Sequence, residues 1–269
     1  IVQDKLATVV NSSFGLCEGE LTSSNLTTFD GVFKQGISTG ITFVAASGDH
    51  GAYQCGSALN GIGVSWPASS PYVLAVGGTN LTTTFKAKSN DSAYVSESAF
   101  KDIKPSNGGL YWGSGGGYSV KYKRPSWQNG FVSKNSRGVP DVALHMGGSG
   151  FSGSSCAAQK CAPGDSSDIQ VQGGKEYYAI GTSASSPDMA GLIALATGLI
   201  HKPLGDVHAL LYALAKSNGL FRHGIKGNNG LPSTSGIWDP ITGLGTPIAA
   251  YKIVGGKTQS GTPGTSTNP

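Results

Sequence analysis

The sequence predicts an α/β domain built on a mainly parallel central β-sheet with helices on both faces. Three observations carry that reading. Apolar runs at residues 7–10, 41–46 and 72–78 each end in a turn rich in Gly and Ser. Between the first two, Leu26, Phe29, Val32, Phe33 and Ile37 recur at helical spacing, which makes a strand-helix-strand unit. The length of 269 residues gives room for one domain with a sizeable core, or most of a larger one.

The elements follow in order. A first strand runs into Ser13-Phe14-Gly15, and an amphipathic helix spans 26–38. The strand Ile41–Ala46 leads into the tight turn Ser47-Gly48-Asp49-His50-Gly51, which places Asp49 at a strand's C-terminal end, where open α/β sheets build their sites. A strand from Tyr72 ends in Gly77-Gly78. Residues 86–135 read as antiparallel or loop-rich. Short strands at Val139–Leu144 and Tyr177–Ile180 lead towards an apolar helix at 187–200, with another helix at 206–216. Residues 256–269 have the Gly/Ser/Thr/Pro composition of a linker, so the domain is expected over 1–255 and a tail over 256–269. There is no internal repeat.

Composition narrows the class. Charged residues make up only 13% and the net charge is +4, with no basic stripe. Lys121-Tyr122-Lys123-Arg124 is the densest basic run and reads as a solvated strand end, so nucleic acid is not an expected partner. No run approaches ~18 apolar residues, so no membrane span is expected. The start carries no leader pattern, as expected of a matured chain. A surface poor in carboxylates and rich in Ser, Thr and Asn fits a secreted protein in an acidic medium. Four cysteines suggest two disulfides, Cys17–Cys55 between the loops after the first two strands and Cys156–Cys161 across a short loop; no His/Cys cluster has zinc spacing. Sequons at Asn11, Asn25, Asn80 and Asn90 permit glycosylation in a host that performs it, with Asn11 expected to be buried in its strand.

Chemistry concentrates in Gly181-Thr182-Ser183-Ala184-Ser185-Ser186-Pro187. Small residues around Ser183, followed by a helix, are how a strand-to-helix turn presents a nucleophilic hydroxyl, with free N–H groups and a positive partial charge beside it. Taken alone, the segment also fits an ordinary Ser/Thr-rich helix start. His50, beside Asp49, reads as a loop residue that could modulate it.

The order of these motifs resembles the C-terminal two-thirds of a subtilisin-type domain, a three-layer fold. Asp49 stands where subtilisins carry an oxyanion-binding asparagine, and this resembles the sedolisin (serine-carboxyl peptidase) family, nearest its kumamolisin-like branch. Trp66-Pro67-Ala68-Ser69-Ser70-Pro71-Tyr72, Gly115-Gly116-Gly117-Tyr118-Ser119, Arg124-Pro125-Ser126-Trp127-Gln128, Arg137-Gly138-Val139-Pro140-Asp141-Val142 and Trp238-Asp239-Pro240-Ile241-Thr242-Gly243 fit the same family, over residues 7 to 250 or so. The resemblance implies a secreted endopeptidase acting in acid on peptide or protein substrates. Ser183 would be the nucleophile and a protonated Asp49 the oxyanion donor. Ser13, Phe14, Gly15, Gly115, Gly116 and Thr182 would line the substrate, with an extended peptide paired by strand addition. The family's base, a glutamate assisted by an aspartate, lies before the first strand. Asp4 is too close to that strand, and Glu18 and Glu20 follow it, so an N-terminal companion chain from the same precursor is the expected partner. The alternative is an inactive peptide-binding or structural module on this fold. The family also binds Ca²⁺ near its C-terminus; here Asp239 matches a ligand, but His223 stands where the other aspartate is expected.

Overall fold

The computed structural model describes residues 1–56, 61–84, 93–100, 113–146, 168–217, 219–231, 233–234 and 236–248. The expected Cys156–Cys161 bridge and the tail at 256–269 lie outside these residues, as do Asn90 and most of its surroundings.

Strand β1 (Val9–Ser12) is followed by helix α1 (Ser23–Ser38) and strand β2 (Thr42–Ala46). Strand β3 (Leu74–Thr84) and strand β4 (Ala93–Ala99) come next, then strand β5 (Gly117–Lys123) and strand β6 (Ser136–Val139). Strand β7 (Val142–His145) precedes a hairpin of β8 (Asp168–Gln172) and β9 (Lys175–Ala179). Helices α2 (Thr182–Ile200) and α3 (His208–Leu214) complete the main elements. The central sheet runs β1-β2-β3-β7 in parallel, with Val9 opposite Thr42, Val44 opposite Leu74 and Val76 opposite Val142. The far half of β3 pairs antiparallel with β4, Thr79 opposite Ala99. This strand is longer than the sequence indicates, because Thr79 to Thr84 form a second ladder after the glycine pair.

The alternation of β2 makes the three layers. Phe43 and Ala45 face α1, where they pack with Ile41, Val64, Val73, Phe33 and Ile37. Val44 faces the other way, into a core of Leu74, Val76, Val142, Met189, Ile193, Leu211 and Tyr212 under α2 and α3. Side chains this size contribute roughly 1.5–3 kcal/mol each on full burial. Helix α1 begins at a capping box: Asn25 N–H donates to Thr22 Oγ1 at 3.1 Å and Thr22 N–H to Asn25 Oδ1 at 3.3 Å.

Helix α2 begins at Thr182, earlier than the 187 start read from the sequence. A proline ordinarily marks a first helical turn, because its missing N–H costs nothing there. Here Pro187 lies inside the helix, and Ser183 sits in the first turn.

Candidate active site

The C-terminal ends of β1 and β2 and the start of α2 enclose a cleft of about 270 Å³. Ser13, Phe14, Gly15, Asp49, His50, Thr182 and Ser183 line it. Residues separated by most of the chain thus meet at the end of a parallel sheet, where strand termini and a helix N-terminus coincide. Ser183 is exposed, while Thr182, Ala184, Ser185 and Ser186 around it are buried.

Gly181 caps the helix at φ 107, a conformation that favours glycine, and a side chain there would meet the Asp49 carboxylate. Thr182 then fixes Asp49. Its N–H donates to Asp49 Oδ1 at 2.6 Å and its hydroxyl donates to the same oxygen at 3.0 Å. The Thr182 hydroxyl also accepts from Gly48 N–H at 3.0 Å. Thr182 is fully buried, borders the cleft and positions Asp49 from beside it. Burial raises Asp49 above the usual carboxylate range; the two Thr182 hydrogen bonds and the charge of His50 oppose this and lose. An acid with a raised pKa holds its proton further into mild acid, and a protonated carboxyl can donate. With Thr182 N–H given to Asp49 and Ala184 N–H to the Gly181 carbonyl, Ser183 N–H has no acceptor among the described residues.

Ser183 Oγ donates to the Ser13 carbonyl at 3.1 Å, and Ser13 Oγ donates back to the Ser183 carbonyl at 3.0 Å. Asn11 Nδ2 donates to Ser13 Oγ at 2.9 Å, and Ser186 Oγ donates to Asn11 Oδ1. Sequence reasoning missed Asn11 and Ser186. The polar run Asn11-Ser12-Ser13 at a strand end was the available signal, but its partners lie on a helix far along the chain.

Gly115 and Gly116 lie against the Asp49 loop. Gly115 N–H donates to the Gly48 carbonyl at 2.7 Å and Gly116 N–H to the Gly51 carbonyl at 3.3 Å. A side chain at Gly115 would collide with the Ser47 carbonyl. Both N–H groups brace the Asp49 loop. In the Ser13-Phe14-Gly15 segment that lines the cleft, Phe14 is 72% exposed.

The Cys17–Cys55 disulfide forms as expected and ties the loop after β1 to the loop after β2. Glu18, which was ruled out as a base on sequence order, is fully buried. It accepts from Ser119 Oγ at 2.7 Å and Val120 N–H at 2.6 Å, so it anchors β5.

Asp239 uses its carboxylate within the loop that follows it. Its Oδ1 accepts the N–H groups of Ile241 and Thr242, each at 2.8 Å, and its Oδ2 accepts the Thr242 hydroxyl at 3.1 Å. Burial raises its pKa, and the Lys226 charge works in the opposite direction. His223 Nδ1 lies 2.8 Å from the Leu244 carbonyl. Calcium takes six to eight oxygens, commonly with several carboxylates. One carboxylate whose oxygens already accept three protein hydrogen bonds falls short of that donor set.

Residues 2–208 match the Subtilase family. Sedolisin of Pseudomonas sp. (strain 101) is 35% identical over 259 residues, covering 91% of this chain and 40% of that protein. Kumamolisin of Bacillus sp. (strain MN-32) is 31% identical over 255 residues, covering 89% and 41%. The structure of Pseudomonas sedolisin complexed with two molecules of pseudo-iodotyrostatin has a TM-score of 0.77 and 32% identity, covering 94% of this chain and 66% of that one. The chain thus spans about 40% of the length of these curated relatives.

Proposed function

The chain belongs to the subtilase family, on its sedolisin side, and from that premise we propose that it is the serine-bearing part of a secreted serine-carboxyl endopeptidase that works in acid. The observation that carries the reading is Ser183 in the first turn of α2, sharing one cleft with a half-buried carboxyl, Asp49, of raised pKa.

A peptide enters extended along Ser13-Phe14-Gly15. Ser183 Oγ attacks the scissile carbonyl carbon and gives its proton to a carboxylate base. The carbonyl oxygen takes the electron pair and receives hydrogen bonds from the Asp49 carboxylic acid and from Ser183 N–H. Collapse expels the amine, which takes the proton from the base, and water then hydrolyses the acyl-serine. A carboxylate base suits acid, where a histidine would already be protonated. Among the described residues Ser183 Oγ has the Ser13 carbonyl as its acceptor, not a carboxylate. In this proposal the base is a glutamate supplied by a companion segment, as the family resemblance implies. Such a segment would also cover the outer edge of β1, where Val9 and Val10 are only half-buried, and Leu195 and Leu199 of α2, which are exposed. No helix among the described residues is long and apolar enough to cross a membrane.

Mass spectrometry of the native protein under denaturing conditions tests this. A co-purifying polypeptide, or a longer precursor, carrying Glu and Asp one helical turn apart supports the proposal, with peptide cleavage at about pH 3–5. A native protein without such a pair and without cleavage activity overturns it in favour of a peptide-binding relative.

A further inference from the structure

Away from the Ser183–Asp49 pair, three side chains from three different elements converge. His145 ends β7, Asp168 opens β8, and Asp188 lies on α2. A ligating atom from each lies within 4.8 Å of the others. We propose that His145, Asp168 and Asp188 form a binding site for a divalent first-row transition-metal ion of the Zn²⁺ type.

The His145 ring nitrogen carries the argument. Its Nε2 is buried and makes no hydrogen bond, although Asp168 Oδ1 lies 3.4 Å away. That separation is too long for a good hydrogen bond but suits two ligands of one ion. Metal–N and metal–O bonds of about 2.1 Å at a tetrahedral angle set ligand atoms ~3.4 Å apart. Asp188 is exposed and can close the remaining gap by changing rotamer.

Charge agrees with geometry. Burial raises Asp168, and the nearby Asp188 raises it further, with only His145 opposing. Burial also raises Asp188, again opposed by His145. Two half-desolvated carboxylates facing one imidazole are short of positive charge, and a dication would supply it. One nitrogen and two oxygens select against Ca²⁺ and Mg²⁺, which want six or more oxygens, and in favour of ions that accept imidazole. The side chains of His145 and Asp168 are 23% and 28% exposed, which leaves an entry path and room for water to complete the coordination shell. A bound ion would pin the β8–β9 hairpin to the helix that carries Ser183.

The test is calorimetric titration of the oxidised, chelator-stripped protein with ZnCl₂ at neutral pH, beside melting curves. The expected result is one saturable site and a melting temperature that rises with Zn²⁺. Asp188→Asn, a change at an exposed position, should weaken binding at least tenfold, as should His145→Gln. CaCl₂ at the same concentration should leave the melting temperature unchanged. No saturable binding, or equal Zn²⁺ affinity in Asp188→Asn, overturns the site. Equal stabilisation by Ca²⁺ overturns the metal class.

Discussion

Ser13 and Ser183 hold each other by two hydrogen bonds in opposite directions, hydroxyl to carbonyl each way, at 3.0 and 3.1 Å. Pro187 explains one of them. In an uninterrupted helix the Ser183 carbonyl would accept from the N–H at position 187, and proline has none. The Ser13 hydroxyl takes that place, so the strand-end loop and α2 are locked together where the helix lacks its own donor.

This gives a double-mutant prediction. Ser13→Ala should destabilise by about 1 kcal/mol, the usual net worth of such a bond. In a Pro187→Ala background, where the helix regains its own donor, the same change should cost clearly less. Chemical denaturation of the two single variants and the double variant reads the coupling. Full additivity would show that Ser13 does not replace the lost helical donor.

Asp49 should set the neutral limb of the pH profile. Its pKa is raised by burial, so the proton that donates to the oxyanion is present in acid and lost as pH rises through that raised value. An amide donates at every pH. In the complete enzyme, Asp49→Asn should flatten the fall in kcat/KM towards neutrality. An Asn variant with an unchanged neutral limb would assign that limb to another group.

Below the sheet, a buried network should favour stability in acid. Arg137 Nη1 and Nη2 contact Asp141 Oδ1 and Oδ2 at 2.7 and 2.5 Å, and Tyr212 donates to Asp141 at 3.0 Å. Burial alone would raise Asp141; Arg137 and His208 overcome it and hold its pKa at about 2, below the ordinary 3.8. His208, between Asp141 and Asp206, is lowered by burial but lifted more by these carboxylates, to about 9 from 6.5. The sign follows. Asp141's contribution is present above pH 3.8 and is lost as pH falls through about 2. That of His208 is present below pH 6.5 and is lost as pH rises through about 9. Both act between 3.8 and 6.5, so melting temperature should hold through mild acid and fall on the alkaline side. His208→Gln should remove much of the alkaline loss. A variant that keeps the wild-type alkaline slope would assign it elsewhere.

The Cys17–Cys55 bridge closes a sequence separation of 38 between the two loops that form the cleft. Chain-entropy arguments give such a closure about 3–4 kcal/mol. Replacing both cysteines with alanine should lower the melting temperature, read by calorimetry. An unchanged value would mean that the loops are held by their other contacts alone.

Much of this was legible in the sequence. Ile41 to Ala46 and the spacing of Leu26, Phe33 and Ile37 announce a parallel unit because burial on both faces leaves a continuous apolar run. Gly-Thr-Ser before a helix and Ser-Gly-Asp after a strand mark the site because both rely on local backbone geometry. What stayed hidden depends on distant partners. The start of α2 was misplaced because Pro187 looks like a helix beginning until Ser13 is seen satisfying the open carbonyl. A run of glycines does not show that the N–H groups of Gly115 and Gly116 will brace the Asp49 loop. Nothing local to Asn11 says that Ser186 and Ser13 will close around it.

The central claim is that Ser183 is the nucleophile of an acid-acting peptidase. The most direct measurement compares the complete protein with its Ser183→Ala variant on a peptide substrate at about pH 4, with melting temperatures taken alongside. The account predicts hydrolysis by the native protein and at least a thousandfold loss (~10³) in the variant, with a stability loss of no more than about 1 kcal/mol from the missing hydrogen bond to Ser13. Undiminished hydrolysis by the Ser183→Ala variant would contradict it.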